Sequence, residues 1–349
     1  MAEAVIVEAV RSPIGKRNGG LSGVHPADLS AQVLNALVER AVVDPGIVED
    51  VIWGCVMQAG EQAVDIARTS LLAAGWPESV PRVTVDRQCG SSQQSIHFAA
   101  AGLVAGHYDV VVAGGVESMS RVPMGASLAG GGNPYPRAVM KRYGVVPNQG
   151  LGAEMIAEQW GFDRTILDEF SLGSHDKAAA AQDSGAFHDQ IVAITDPDGN
   201  PVVKDEGIRR GTPMEKIDEK AKSLGLKPIA RIHTAVLAGA DPVIMLTAPI
   251  PATQKALKRS GLGINDIGVF EVNEAFAPVP LAWLRDVGAD EKNLNPNGGA
   301  IALGHPLGGS GARIMTTMVH HMRDKGIRYG LQTMCEGGGQ ANATIVELL

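Results

Sequence analysis

Cysteine is scarce in this chain: 349 residues hold three, Cys55, Cys89 and Cys335, far apart and without metal-ligand spacing. An odd, sparse count excludes a disulfide framework and fits free thiols in a reducing compartment, so a cytoplasmic location is expected. Aromatic residues make up only 4%. The core must therefore be built from Ala, Val, Ile and Leu, and 43 glycines permit close backbone approach, as in parallel α/β folds. No stretch reaches the ~18 uninterrupted apolar residues of a membrane span. The nearest, "FAAAGLVAGHYDVVVAGG", is broken by His107, Tyr108 and Asp109. The amino terminus, "MAEAVIVEAVRSP", carries Glu3 and Glu8 inside its apolar run, which is wrong for a secretory signal. Concentrated basic stretches are also missing, and the formal charge is −8, so no nucleic-acid partner is expected.

What is present is ample apolar material, 45% of the residues against 19% charged. A chain of this length and composition implies two packed units or a duplicated one. Through the first third, strand-like and helix-like stretches alternate. "AVIVEAV", "DVIWGCV", "RVTVD" and "YDVVVAGG" read as strands. "PADLSAQVLNALVERA", "DIARTSLLAAG" and the run after Cys89 read as helices. Short Val/Ile-rich strands between helices predict a mostly parallel sheet covered on both faces. The last third repeats the theme, "ALKRSGLGINDIGVFEVNE" mirroring "ALVERAVVDPGIVEDVIWG". Between roughly 120 and 217 the texture changes to Gly, Pro and Asn, followed by two polar helices. Such a lobe often shapes a substrate pocket. The expected division is 1–119, 120–217 and 218–349: an α/β half, an inserted lid, and a second α/β half.

The stretch "VDRQCGSSQQS" places Cys89 where a strand stops and a helix starts. Backbone N–H groups and the positive end of the helix dipole face a residue there. That setting is expected to lower the thiol pKa and make Cys89 reactive; small residues in the same place also suit tight packing. Three further stretches put reactive side chains among glycines. His305 lies in "GGAIALGHPLGGSGAR", Cys335 just after a strand in "MCEGGGQAN", and Asn273 at the strand end of "VFEVNEAFAP". Ligands in α/β sheets sit outside the carboxyl ends of strands, where Cys89, Asn273 and Cys335 fall, with His305 on a comparable loop. Each residue has an ordinary reading too: a hydrogen-bonded loop histidine, a small buried hydrophobe, a helix cap. Cys55 reads as core packing. Neither a P-loop nor a dinucleotide fingerprint appears.

Taken together and in order, "VDRQCGSS", "VNEAF", "GGAIALGHPLGGSGAR" and "CEGGGQAN" resemble the thiolase family, the acetyl-CoA acetyltransferases and 3-ketoacyl-CoA thiolases. "AVRSPIGKRNGG" and "AGGVESMS" extend the likeness over nearly the whole chain. The resemblance implies the thiolase fold, two topologically similar α/β halves in a five-layer αβαβα stack with an inserted loop domain. It implies an acyltransferase that catalyses reversible Claisen condensation and CoA-dependent cleavage of 3-ketoacyl-CoA through an acyl-cysteine. Coenzyme A is then a substrate, with no tightly bound cofactor or metal, and the assembly a homodimer or dimer of dimers. By motif, Cys89 is the nucleophile and His305 activates it and donates to an oxyanion hole. Asn273 holds a water completing that hole, and Cys335 is the acid/base. The backbone N–H groups of Cys89 and Gly337 form a second oxyanion hole. Ala275, Phe276 and Arg209 match contacts to CoA. Claisen chemistry on a thioester develops charge on two oxygens and needs a good leaving nucleophile, which suits this set.

Two departures stand out. Asn148-Gln149 replaces the His-Met that many members carry before the lobe's first helix, which reshapes the acyl pocket. Near 217–219 a CoA-contacting segment and the fifth strand of the first half have no counterpart. Either this is a true deletion, or residues of the natural chain are not in this sequence. The second is favoured, because a lost strand exposes apolar surface and unpaired backbone. Competing readings are a ketoacyl-synthase-type condensing enzyme, which lacks the second catalytic cysteine, and a non-catalytic CoA- or lipid-binding homologue if the deletion is real. A papain-like protease is disfavoured by the context of Cys89.

Overall fold

Pro26 opens the first helix where its missing N–H costs nothing, and the His25 ring accepts the Ala27 N–H at 3.1 Å. Ala27, Ala31 and Leu34 then form one buried face, and the helix ends where Val42 turns left-handed. The computed structural model describes residues 3–210 and 229–349. The apparent gap near 217–219 lies outside the described residues.

In chain order the first part runs β1 (Val5–Ile6), α1 (Pro26–Ala41), β2 (Asp50–Gly54), α2 (Ile66–Ala73), β3 (Arg82–Val85), α3 (Ser91–Ala105) and β4 (Val111–Gly115). The middle carries α4 (Arg137–Tyr143), α5 (Gln149–Trp160), α6 (Arg164–Asp183) and a small hairpin of β5 (Ile194–Thr195) and β6 (Pro201–Val202). The last part runs β7 (Ala230–Gly239), α7 (Pro249–Ser260), β8 (Val269–Val272), α8 (Pro278–Val287), α9 (Ala300–Leu303), α10 (Ser310–Lys325), β9 (Tyr329–Glu336) and β10 (Gln340–Leu348).

Two sheets organise these elements. One is parallel, in the order β3-β2-β4. The other is mixed, in the order β1-β7-β10-β9-β8, with only β8 and β9 parallel. The mostly parallel expectation therefore holds for the first sheet alone. β9 and β10 are joined by a turn at Gly337–Gly339, and so short a connection forces antiparallel pairing. A bridge from Phe270 to Leu294 extends the second sheet beyond β8. "AVIVEAV" contributes only two strand residues, and they join the second sheet, Val5 opposite Arg231 and Ile6 opposite Ala230.

The stack has five layers. Leu34, Trp53, Ile66 and Leu71 form the core between the first sheet and α1 and α2. Ile250, Phe270, Trp283 and Ile345 form the core between the second sheet and α7 and α8. α3 and α10 pack against each other between the sheets. That central position explains why α3 is buried even at polar residues. Gln93 Nε2 donates to Thr344 Oγ1 at 2.7 Å, and the His97 ring meets the same hydroxyl at 2.7 Å. A Cβ on Gly311 would lie 2.3 Å from the Gln93 nitrogen, so glycine is what lets the central helices touch.

Candidate active site

The turn before Cys89 is tightly wound. Gln88 adopts φ 48°, which is costly for a non-glycine residue. Ser91 Oγ stabilises it by accepting the Arg87 N–H at 2.9 Å while donating to the Gln88 carbonyl at 2.6 Å. Gly90 caps α3, so Cys89 stands at the helix start as the sequence implied. The pKa expectation, however, is overturned. Cys89 is 4% exposed, and burial pushes its thiol up to about 11, with a lowering contact from Gln149 only partly offsetting it. Desolvation of the thiolate is the largest cause of the rise.

The His305 loop is clamped onto the same helix start. Ser92 donates its N–H to the Gly308 carbonyl at 3.1 Å, and Ser92 Oγ accepts the Ala312 N–H at 2.9 Å. Leu307 of that loop packs with Cys89, Val56 and Met334. His305 Nδ1 lies 2.7 Å from Ser310 Oγ, which gives its own hydrogen to the Pro306 carbonyl at 2.9 Å. The hydroxyl can then only accept, so Nδ1 carries the ring proton. Nε2 is left as a buried lone pair with no partner among the described residues. Burial and the Arg313 charge hold the ring pKa down to about 4, so the imidazole is neutral and able to take a proton.

Cys335 lies inside β9 rather than just after it. It is 1% exposed. Burial raises its pKa strongly, and a charge on nearby Cys89 opposes its ionisation further. Asn342, on the facing strand, donates from Nδ2 to the Gly90 carbonyl at 3.2 Å, which ties the β9–β10 hairpin to the Cys89 turn. Gly337 faces the same turn, since a Cβ there would lie 2.9 Å from Gln88 Oε1. Asn273 follows β8 and donates its backbone N–H to Thr333 on β9 at 3.1 Å. Its carboxamide is buried, with no partner for either polar atom among the described residues.

Ala275 packs into the cluster that contains Cys335. Phe276, 36% exposed, borders a small cavity of about 220 Å³ with Ala153, Leu167 and Pro278. Arg209 is exposed beside α6, its backbone N–H donating to His175 Nδ1 at 3.2 Å. Among the described residues no hydrogen bond links it to the cysteines. Cys55 is fully buried in the core of the first sheet, as expected. Among the described residues, no group of three His, Cys, Asp or Glu side chains is arranged to hold a metal ion.

Two carboxylates here were not assigned a role beforehand. Glu117, past the end of β4, accepts the N–H groups of Val56 at 2.9 Å, Met57 at 3.1 Å and Gly308 at 2.9 Å. Glu274 accepts from Ser174 Oγ at 2.5 Å, Asn295 Nδ2 at 2.9 Å and the Ile301 N–H at 3.1 Å. Both carboxylates lay within quoted motifs, but their partners converge only in three dimensions. Gln149, noted as a departure, brings Nε2 to 4.0 Å from Cys89 Sγ, while Asn148 caps α5 by accepting the Leu151 N–H at 3.1 Å.

Comparison with known proteins gives the family and the fold. Residues 4–225 match the family model for the thiolase N-terminal domain, and residues 226–348 match that for the C-terminal domain. A steroid 3-ketoacyl-CoA thiolase of Mycobacterium tuberculosis is 46% identical over 388 aligned positions, covering 100% of this chain and 95% of the relative. A 3-ketoacyl-CoA thiolase of Escherichia fergusonii is 41% identical over 392 positions, covering 99% of this chain and 100% of the relative. The crystal structure of the Bacillus anthracis acetyl-CoA acetyltransferase superposes with a TM-score of 0.87 at 35% identity, covering 100% of this chain and 99% of that one. The chain belongs to the thiolase family of acyltransferases.

Proposed function

We propose that this thiolase cleaves 3-ketoacyl-CoA with Cys89 as nucleophile and His305 as the base that activates it. Cys89 Sγ gives its proton to His305 Nε2 and attacks the 3-keto carbon. The bond between C2 and C3 then breaks, and Cys335 protonates the departing carbon to release acetyl-CoA. The acyl group remains on Cys89 until the thiol of a second coenzyme A displaces it, and the reverse sequence is the condensation. The Asn273 carboxamide holds a water that, with His305, donates to one developing oxyanion. The N–H groups of Cys89 and Gly337 serve the other. Ala275, Phe276 and Arg209 contact coenzyme A.

The observation that carries this reading is the buried, unpartnered Nε2 of a neutral His305, on a loop bonded to the helix start beside Cys89. The high resting pKa of Cys89 fits a thiol that loses its proton to a base during the reaction. We read residues 1–119 and 218–349 as the two halves and 120–217 as the lid. The protein acts in the cytoplasm as a homodimer or dimer of dimers. Three free cysteines support the location, and family membership supports the assembly.

Incubation with acetoacetyl-CoA followed by peptide mass spectrometry tests the assignment. An acetyl adduct on Cys89 is expected. An adduct on Cys335 or Cys55 instead would overturn the roles.

A further inference from the structure

The inward face of α5 begins with a polar side chain. Gln149, Gly152, Ala153, Ile156 and Ala157 recur at helical spacing, so they share one face of the helix. The last four are buried. A Cβ on Gly152 would lie 2.8 Å from the Ile244 carbonyl oxygen, so α5 rests directly on the backbone between β7 and α7. Asn148 fixes the start of the helix by accepting the Leu151 N–H. Gln149 is thereby held half-buried, with its carboxamide turned toward Cys89.

The surroundings offer that carboxamide little to bond. Val56, Leu307 and Met334 pack around Cys89, with Met57 and Met119 at the margin. The lid closes on the same place, where Gly125 donates its N–H to Met57 Sδ at 3.3 Å. Gln149 Nε2 lies 4.0 Å from Cys89 Sγ, too far for the sulfur to satisfy a group that carries two hydrogens. Among the described residues neither Nε2 nor Oε1 has another partner. Solvent can serve both atoms in the free enzyme. An acyl group on Cys89 fills the space beside the sulfur and expels that solvent, which leaves the carboxamide unpaired unless the acyl group brings an oxygen of its own. Asn273 and His305 are engaged with the reacting carbonyl and cannot supply one. A few placed polar groups in an apolar pocket fix specificity. A polar group orphaned by the wrong substrate discriminates more sharply than a lost apolar contact.

We infer that this thiolase selects 3-ketoacyl-CoA whose transferred acyl group carries an oxygen of its own, a keto or carboxylate group close to the thioester, and that Gln149 Nε2 donates to that oxygen. The inference rests on Cys89 as the sulfur that bears the acyl group. Gln149 is then a specificity-determining residue, and saturated acyl chains of equal length are the poorer substrates.

The test compares substrates of the full chain in two pairs of equal length: 3-ketoadipyl-CoA against 3-ketohexanoyl-CoA, and 3,6-diketoheptanoyl-CoA against 3-ketoheptanoyl-CoA. The first pair offers a carboxylate and the second a neutral keto group at the same carbon of the transferred acyl chain. Within each pair kcat/KM for CoA-dependent cleavage should be about tenfold or more higher for the oxygenated member. Gln149→Leu should bring both ratios to about threefold or less. The ratio cancels any change in the reactivity of Cys89 itself, which the same substitution alters. Should that variant not fold, Gln149→Met, which keeps the length without the carboxamide, should give the same result. Ratios near one in the parent overturn the inference, and so do ratios that survive the substitution. A preference for the carboxylate member alone that persists in the variant also overturns it, by making a cation the group that reads the acyl chain. Acetoacetyl-CoA, which transfers only an acetyl group, separates the two levels. Its cleavage through an acetyl adduct on Cys89, with both ratios near one, refutes the selection alone. An adduct on another cysteine refutes the reading beneath and the selection with it.

Discussion

Gly308 donates its backbone N–H to Glu117 Oε2 at 2.9 Å, which pins the loop carrying His305 to the end of β4. The same carboxylate receives Val56, Met57 and Gln62 Nε2, the last at 2.8 Å. One side chain thus fixes the turn after β2, the end of β4 and the histidine loop relative to one another.

Glu117→Gln replaces one acceptor with an NH₂ group that must face other donors. Hydrogen bonds to a charged group contribute about 1.5–3 kcal/mol each, so a stability loss of at least ~2 kcal/mol is expected in urea denaturation. Thiolysis should fall by tenfold or more in the fraction that remains folded. Unchanged turnover in that fraction would show that the loop is positioned without Glu117.

Burial of Cys89 gives a pH prediction. With the thiol at about 11, iodoacetamide should alkylate the free enzyme slowly near neutrality. The rate should climb about tenfold per pH unit, following the thiolate fraction. A plateau below pH 8 would mean a standing thiolate and would remove the need for His305 as base. Gln149→Leu removes the group that lowers this pKa and should slow alkylation a few-fold at any pH below the new value.

The two cysteines separate by half-reaction. Cys335→Ala should still allow acetyl transfer from acetyl-CoA to Cys89, while cleavage of the carbon–carbon bond falls by about two to four orders of magnitude. Equal loss of both activities would assign Cys335 a structural role.

Much of the local structure was readable in the chain. α1 begins at the proline and ends where its apolar period ends, because helix starts and faces depend on neighbours in sequence. Cys89 was placed correctly at a helix start for the same reason. Its pKa was not, since desolvation depends on Leu307, Met334 and Val56 arriving from remote segments. β1 read as a strand but not as a member of the other sheet, because its register is decided by β7, more than 200 residues away. Glu117 and Glu274 read only as motif letters, for their partners belong to loops that the fold alone brings together.

Glu336 offers the last test. Its carboxyl is fully buried between the Cys89 turn and β10, and neither oxygen has a partner among the described residues. Burial raises its pKa to about 8, only partly countered by the Arg87 charge. A carboxyl whose pKa is raised on folding contributes stability that is fully present below its unfolded value near 4.5. That contribution is lost as pH climbs through about 8. Glu336→Gln has no proton to lose, so its thermal midpoint should fall less than that of the parent between pH 6 and pH 9. Glu271, also raised to about 8 by burial, titrates in both proteins and cancels in the comparison. The histidines held down to about 4, His97 and His305, act only on the acid side, where stability falls as pH drops from about 6.5. Scanning calorimetry of the two proteins across pH 6–9 decides the matter: parallel curves would mean that Glu336 is ionised throughout, with a partner that satisfies its charge.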